Sequence, residues 1–175
     1  LVCIDEAYIE FAGRSSLAPR LAEFPNLVLL RTLSKAYALA GARLGTLIAS
    51  EEIIGLLKRI IPPYAIPEST VEDVLRLTEV PQRASSAARI RTLLAERAKM
   101  VPRLQAMSCV AQVFPSDANF VLVKFRDAQA ALAAGKSAGL LVRDFSSAPG
   151  LAQCLRISIG TPEQNERLLA ALERL

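Results

Sequence analysis

Five side chains in the first quarter of the sequence, Asp5, Tyr8, Ser34, Lys35 and Arg43, carry the groups that a carbonyl-based group transfer needs. A lysine amine adds to aldehydes and, once displaced, carries protons as a general base, which is the role open to Lys35. A carboxylate favours the protonated form of a neighbouring ring nitrogen by direct charge pairing, and Asp5 is the candidate. Tyr8 offers a phenol that can donate a hydrogen bond or, read more simply, packs beside a strand end. Ser34 puts a hydroxyl next to the lysine, and Arg43 brings a planar fork suited to two-point phosphate contact. Thr32 adds a second hydroxyl and reads equally well as a strand-end residue. Gly41 and Gly45 flank Arg43 and predict a sharp turn there.

Two more arginines stand in the last third. Arg156 interrupts the apolar run Cys154-Leu155-Arg156-Ile157-Ser158-Ile159, where a charge calls for an anionic partner. Arg143 follows Gly139-Leu140-Leu141-Val142 and precedes Asp144, so it is read either as a second anion contact or as half of an ion pair with Asp144.

The elements that must position these groups are short. Leu1 to Ile4 and Asn26 to Leu30 are apolar runs of the kind that form buried parallel strands, each ending where the polar residues begin. Ligands of open α/β sheets lie at the carboxyl ends of strands, which would bring Asp5 and Ser34-Lys35 to one crevice. A helix is expected over Leu17 to Phe24, with Ser16 as its cap and Pro19 in its first turn. A strand over Thr46 to Ala49 and a Ser50-capped helix over Glu51 to Ile60 follow. Pro62 to Pro67 predicts an extended crossing. Ser69 or Thr70 would cap a helix through Leu77, and Pro81 would open a long helix towards Leu104. Strands near Cys109–Phe114, Phe120–Lys124, Leu140–Arg143 and Cys154–Ile159 alternate with helices at Asp127–Ser137 and Pro162–Leu175. Thr161-Pro162 is a strong start signal for the last of these.

The set reads as half of a pyridoxal phosphate site, and the chain resembles the class I/II aminotransferases of fold type I. The matching residues are Asp5-Glu6-Ala7-Tyr8 with Glu10-Phe11, and Arg31-Thr32-Leu33-Ser34-Lys35-Ala36 with Leu39 to Gly45. Pro62-Pro63-Tyr64, Ser116 to Phe120, Val142-Arg143-Asp144 and Leu155 to Thr161 extend the match over almost the whole chain. Within that family the pattern is nearest to the branch acting on histidinol phosphate. Rival branches are aromatic or broad-specificity aminotransferases and threonine-phosphate decarboxylases, and a non-catalytic remnant or interaction module is the reading from a different class.

The resemblance implies an α/β fold: part of a mainly parallel three-layer α/β/α large domain over residues 1–80, an interdomain helix over 81–100, and an α+β small domain over 101–175. It implies pyridoxal 5'-phosphate held by Asp5, Tyr8, Thr32, Ser34, Lys35 and Arg43, with Lys35 catalytic. Arg143 and Arg156 would grip the anionic end of the substrate, and small-molecule partners and a homodimer are implied as well. The family's phosphate-holding turn, its ring-stacking aromatic, an asparagine beside the ring oxygen and a tyrosine lent across the dimer are not in this sequence. The expectation is therefore a C-terminal fragment with little transaminase activity alone.

Composition fits but does not lead there. The chain has 175 residues, an apolar fraction of 52% and a formal charge of +4, which describe a globular core with mild basicity. Arg83, Arg89, Arg91, Arg97 and Lys99 recur at helical spacing and read as a solvated face, so nucleic acid is not an expected partner. No run has the length or apolarity to cross a bilayer. Without histidine the chain holds no Ser-His-Asp or Cys-His site. Cys3, Cys109 and Cys154 have no metal-ligand spacing and are expected to be reduced, buried thiols of a cytoplasmic protein with no metal.

Overall fold

The computed structural model describes residues 1–175 and divides them into two compact units, Leu1–Ala88 and Arg89–Leu175. A single helix crosses the boundary.

The first unit is built on three strands, β1 (Val2–Asp5), β2 (Leu27–Thr32) and β3 (Gly45–Ile48), in that order. β1 and β2 are parallel, with Asp5 opposite Leu30, so both chains leave the sheet at the same end. β3 returns antiparallel, pairing Thr32 with Gly45, which makes this small sheet mixed. Leu27, Val28 and Leu29 are buried together with Phe11 and Ala36.

Between β1 and β2 the expected helix over Leu17 to Phe24 does not form. Only a short 3-10 helix, Ala18–Arg20, is present, and the backbone bonds around it all span three residues. Pro25 stops the segment before an α-helix could repay its costly first turn. Ser16 instead joins a buried cluster: its hydroxyl donates to Glu6 at 2.7 Å and accepts from Ala18 N–H at 3.1 Å.

Helix α1 (Glu51–Lys58) starts at Ser50, whose Oγ accepts from Ile53 N–H, with Glu51 and Glu52 favouring its positive end. The stretch from Pro62 to Pro67 is not simply extended, because Tyr64 turns it at φ 57° and stands fully exposed. Helix α2 (Glu68–Leu77) is entered from Pro67, not from Ser69 or Thr70. Pro67 is already extended at ψ 146° and its carbonyl accepts the first helical N–H bonds, from Thr70 and Val71. Thr70 is thereby free to donate through its hydroxyl to Ala42 O.

Helix α3 (Val80–Ala106) carries the chain from one unit to the other. In the second unit, four antiparallel strands, β4 (Val110–Val113), β5 (Phe120–Phe125), β6 (Arg143–Asp144) and β7 (Cys154–Ser158), lie in the order β4-β5-β7-β6. Helices α4 (Ala128–Ser137) and α5 (Pro162–Leu172) complete it. One face of the sheet is the core: Val121, Val123, Phe125, Leu155 and Ile157 pack with Met100 and Leu104 of α3 and Leu168, Leu169 and Leu172 of α5. The alternation along β5 and β7 is what sends Phe120, Leu122, Arg156 and Ser158 to the other face.

The strand expected over Leu140–Arg143 shrinks to Arg143–Asp144. Leu140 is spent on ending α4, since its N–H bonds to Gly135 O while Gly139 N–H bonds to Lys136 O, and Gly139 sits at φ 70°. That pair of bonds with a left-handed glycine is a helix stop. The cysteines also differ from expectation: Cys154 is buried, Cys109 half-buried and Cys3 exposed, because Cys3 lies on an outer strand of a sheet with little covering it.

Candidate active site

In the first unit the parallel pairing of β1 with β2 puts the Asp-Glu pair and the Thr32–Lys35 turn at one strand end. Asp5 and Glu6 part there. The Asp5 carboxylate is exposed and oriented by Ala7 N–H, which donates to it at 2.8 Å. Glu6 is only 5% exposed and accepts from Ser16 Oγ and from Leu17 N–H at 2.8 Å. Arg31 lies 3.9 Å from Glu6 and pairs with Glu10 at 2.5 Å. Glu6, Glu10, Ser16 and Arg31 therefore form the brace that holds the β1 end against β2. Glu6, Glu10 and Arg31 belong to the family motifs and Ser16 was expected only as a helix cap; their bracing role was not legible, because only the fold shows which of two adjacent carboxylates turns inward.

Lys35 is exposed, and its Nζ lies 5.7 Å from the centre of the Tyr8 ring. Tyr8 is steadied in turn by Phe11, with ring centres 6.5 Å apart. The Thr32 and Ser34 hydroxyls are 2.9 Å apart, and Thr32 Oγ1 also accepts from Ser34 N–H at 3.1 Å, so they hold the turn that presents the lysine. Both are half-buried.

Arg43 is reached through a short 3-10 helix, Ala40–Ala42. The expectation that Gly41 and Gly45 make the turn is corrected: neither is left-handed, whereas Arg43 itself is, at φ 52°, as is Ala38 at φ 58°. A non-glycine residue there is strained by about 1 kcal/mol. The exposed Arg43 guanidinium rests on Ala40 O at 3.0 Å.

The second unit brings Arg143 and Arg156 together. They are directly paired across β6 and β7, on the sheet face away from the core. Asp144 points to the opposite face by strand alternation, and its carboxylate accepts from Ser146 N–H at 2.7 Å. The simple reading of Arg143 as an ion pair with Asp144 thus fails. Arg156 sits over two rings, 5.2 Å from the centre of Phe120 and 5.6 Å from that of Phe145, and its Nε is buried without a hydrogen-bond partner. Phe145 was not singled out from the sequence, although its place two residues after Arg143 puts both on one strand face. Nor is the basic stretch of α3 simply solvated: Arg97 donates to Ala118 O at 2.6 Å, and Lys99 pairs with the buried Glu96 at 2.8 Å.

An exposed amine beside a phenol ring, a strand-end carboxylate and a pair of hydroxyls in the turn thus share one α/β frame. The chain belongs to the class I and II aminotransferases, whose family model matches residues 1–172. It is 47% identical to the histidinol-phosphate aminotransferase of Stenotrophomonas maltophilia over 172 residues, covering 98% of this chain and 47% of that protein. The structure of histidinol-phosphate aminotransferase from Sinorhizobium meliloti in complex with pyridoxal-5'-phosphate matches 99% of this chain and 48% of its own, with a TM-score of 0.80 and 28% identity. L-threonine-O-3-phosphate decarboxylase from Porphyromonas gingivalis shares the fold, with a TM-score of 0.84 at 23% identity, over 98% of this chain and 54% of that one. The chain spans about half the length of the curated relatives it matches. No helix is long and apolar enough to cross a membrane.

Proposed function

We propose that this chain is part of a pyridoxal phosphate-dependent transaminase that moves an amino group from histidinol phosphate to a 2-oxo acid such as 2-oxoglutarate. The observation that carries the reading is the parallel β1–β2 pair, which brings Asp5 and the Thr32–Lys35 turn to one strand end with Tyr8 beside Lys35. The donor set fits the cofactor. It offers an exposed amine for an aldehyde, a carboxylate for a ring nitrogen, a phenol for a ring oxygen, and Ser34, Thr32 and Arg43 for a phosphate.

When bound, the cofactor draws electrons from the substrate's α-carbon and so eases loss of its proton. Lys35 would then take and return that proton at its Nζ. Asp5 would keep the ring nitrogen protonated, and Tyr8 would donate to the ring oxygen. Ser34, Thr32 and Arg43 would hold the phosphate end. In the second unit Arg143 and Arg156 would receive the substrate's anionic end, and their side-by-side pairing favours a doubly charged phosphate over a carboxylate.

Residues 1–80 would supply part of the cofactor-binding large domain, 81–100 the interdomain helix and 101–175 the small domain. The full enzyme would be a cytoplasmic homodimer, a state that sedimentation of the full-length enzyme would test.

The test is borohydride reduction of the chain after incubation with pyridoxal phosphate, followed by peptide mapping. Selective labelling of Lys35 that is lost in Asp5→Ala is expected. Labelling scattered over Lys58, Lys99, Lys124 and Lys136 would overturn the assignment.

A further inference from the structure

We propose that Phe120 and Phe145 form an aromatic clamp that positions Arg156 with its N–H donors left free for an anion. The inference rests on the reading of Arg156 as an anion-holding residue and names two positioning residues for it.

The sheet order puts β7 between β5 and β6, so Arg156 has neighbours on both sides. Directly opposite it are Leu122 on β5 and Arg143 on β6. Phe120 pairs with Ser158, and Phe145 N–H bonds to Cys154 O, so the two rings lie on opposite diagonals from Arg156. Diagonal neighbours on one sheet face are within reach of aromatic side chains. The guanidinium carbon stands 5.2 Å from one ring centre and 5.6 Å from the other, both within cation–π range.

How a protein holds an arginine decides what that arginine can still do. Arg31 is held by Glu10, and Arg103 by Glu166 and Glu173, and in each case carboxylates consume the donors and cancel the charge. Ring faces attract a guanidinium through their quadrupole and use none of its N–H groups. Arg156 is held in this second way. Its Nε is buried and takes no acceptor from the protein's own groups, so the fold leaves that donor unspent. Arg143, directly opposite, adds like charge on the same face, which makes an anion that partner. Two rings on opposite diagonals also limit the swing of a long side chain, which lowers the ordering cost of binding.

The side-chain Nε–Hε signal of Arg156, identified by its disappearance in Arg156→Lys, reads the clamp directly by NMR. In the unaltered chain it should be ring-shifted and should move on titration with inorganic phosphate. Phe120→Leu and Phe145→Leu should each return the signal towards the ordinary arginine position and weaken phosphate binding about three- to tenfold. Phe145→Tyr, which keeps the ring, should preserve both. The proposal is overturned if either leucine variant leaves signal and affinity unchanged, or if Phe145→Tyr loses as much as Phe145→Leu. If the signal follows the rings while phosphate moves it in none of the proteins, the clamp stands and the anion-site reading falls.

Discussion

Arg143 and Arg156 face each other across β6 and β7, two positive charges in directly opposed positions on one sheet face. Directly opposed like charges destabilise a strand pair by a few tenths of a kcal/mol, up to about 1 kcal/mol. A contact that weakens the fold and concentrates charge is what an anion site requires.

The pair can therefore be separated into its two effects. Arg143→Leu should leave the unfolding free energy of the chain unchanged or raise it by up to about 0.5 kcal/mol, while phosphate affinity falls about tenfold. In an enzyme of full family length carrying this sequence, the same change should weaken histidinol phosphate more than an amino-acid donor. Urea unfolding and phosphate titration measure the first two quantities, and a matched loss of both substrates would count against a phosphate-selective role.

Arg43 makes a similar case in backbone terms. It occupies φ 52°, a conformation that glycine adopts without strain. Arg43→Gly should gain stability by up to about 1 kcal/mol, offset in part by greater freedom of the unfolded chain, and should lose retention of pyridoxal phosphate. A variant that is less stable and still binds the cofactor would show that the arginine serves the turn alone.

Glu96 and Asn165 tie α3 to α5 in the interior of the second unit. Asn165 Nδ2 donates to Glu96 at 3.0 Å and to Gly160 O at 3.1 Å, while its Oδ1 accepts from Gly160 N–H at 2.8 Å. Asn165→Ala should cost about 2–3 kcal/mol, because it leaves a buried carboxylate short of a donor. The bond from Lys99, and then that from Asn165, hold the Glu96 carboxyl below its ordinary range. Its contribution to stability is complete above the unfolded-state pKa of about 4.3 and is lost as pH falls through the lower folded value. Unfolding curves collected down the acid limb should show a shallower loss in Asn165→Ala than in the unaltered chain.

Thr161 closes α5 with a reciprocal cap: its Oγ1 accepts from Gln164 N–H at 3.3 Å, and the Gln164 side chain accepts from Thr161 N–H at 3.0 Å. Thr161→Ala should cost about 1 kcal/mol, and Thr161→Ser much less. Equal losses in chemical denaturation would place the effect in packing of the threonine methyl.

Much of this protein was written locally. The Asp5 and Lys35 motifs, the Ser50 cap, the Thr161-Pro162 start and the apolar period of α3 depend on neighbours within a few residues, so type and spacing were enough to find them. The same holds for the family, since its motifs are strings of adjacent residues. What the sequence left open depends on pairings between distant segments. Only the sheet register turned Glu6 into a structural brace while Asp5 stayed exposed, put Arg143 directly opposite Arg156, and set Phe120 and Phe145 on either side of Arg156. The reason is physical. A helix cap or a turn is satisfied by atoms close in the chain, whereas which face a strand residue occupies, and what lies across from it, is fixed by a register that shifts every side chain if it slips by one.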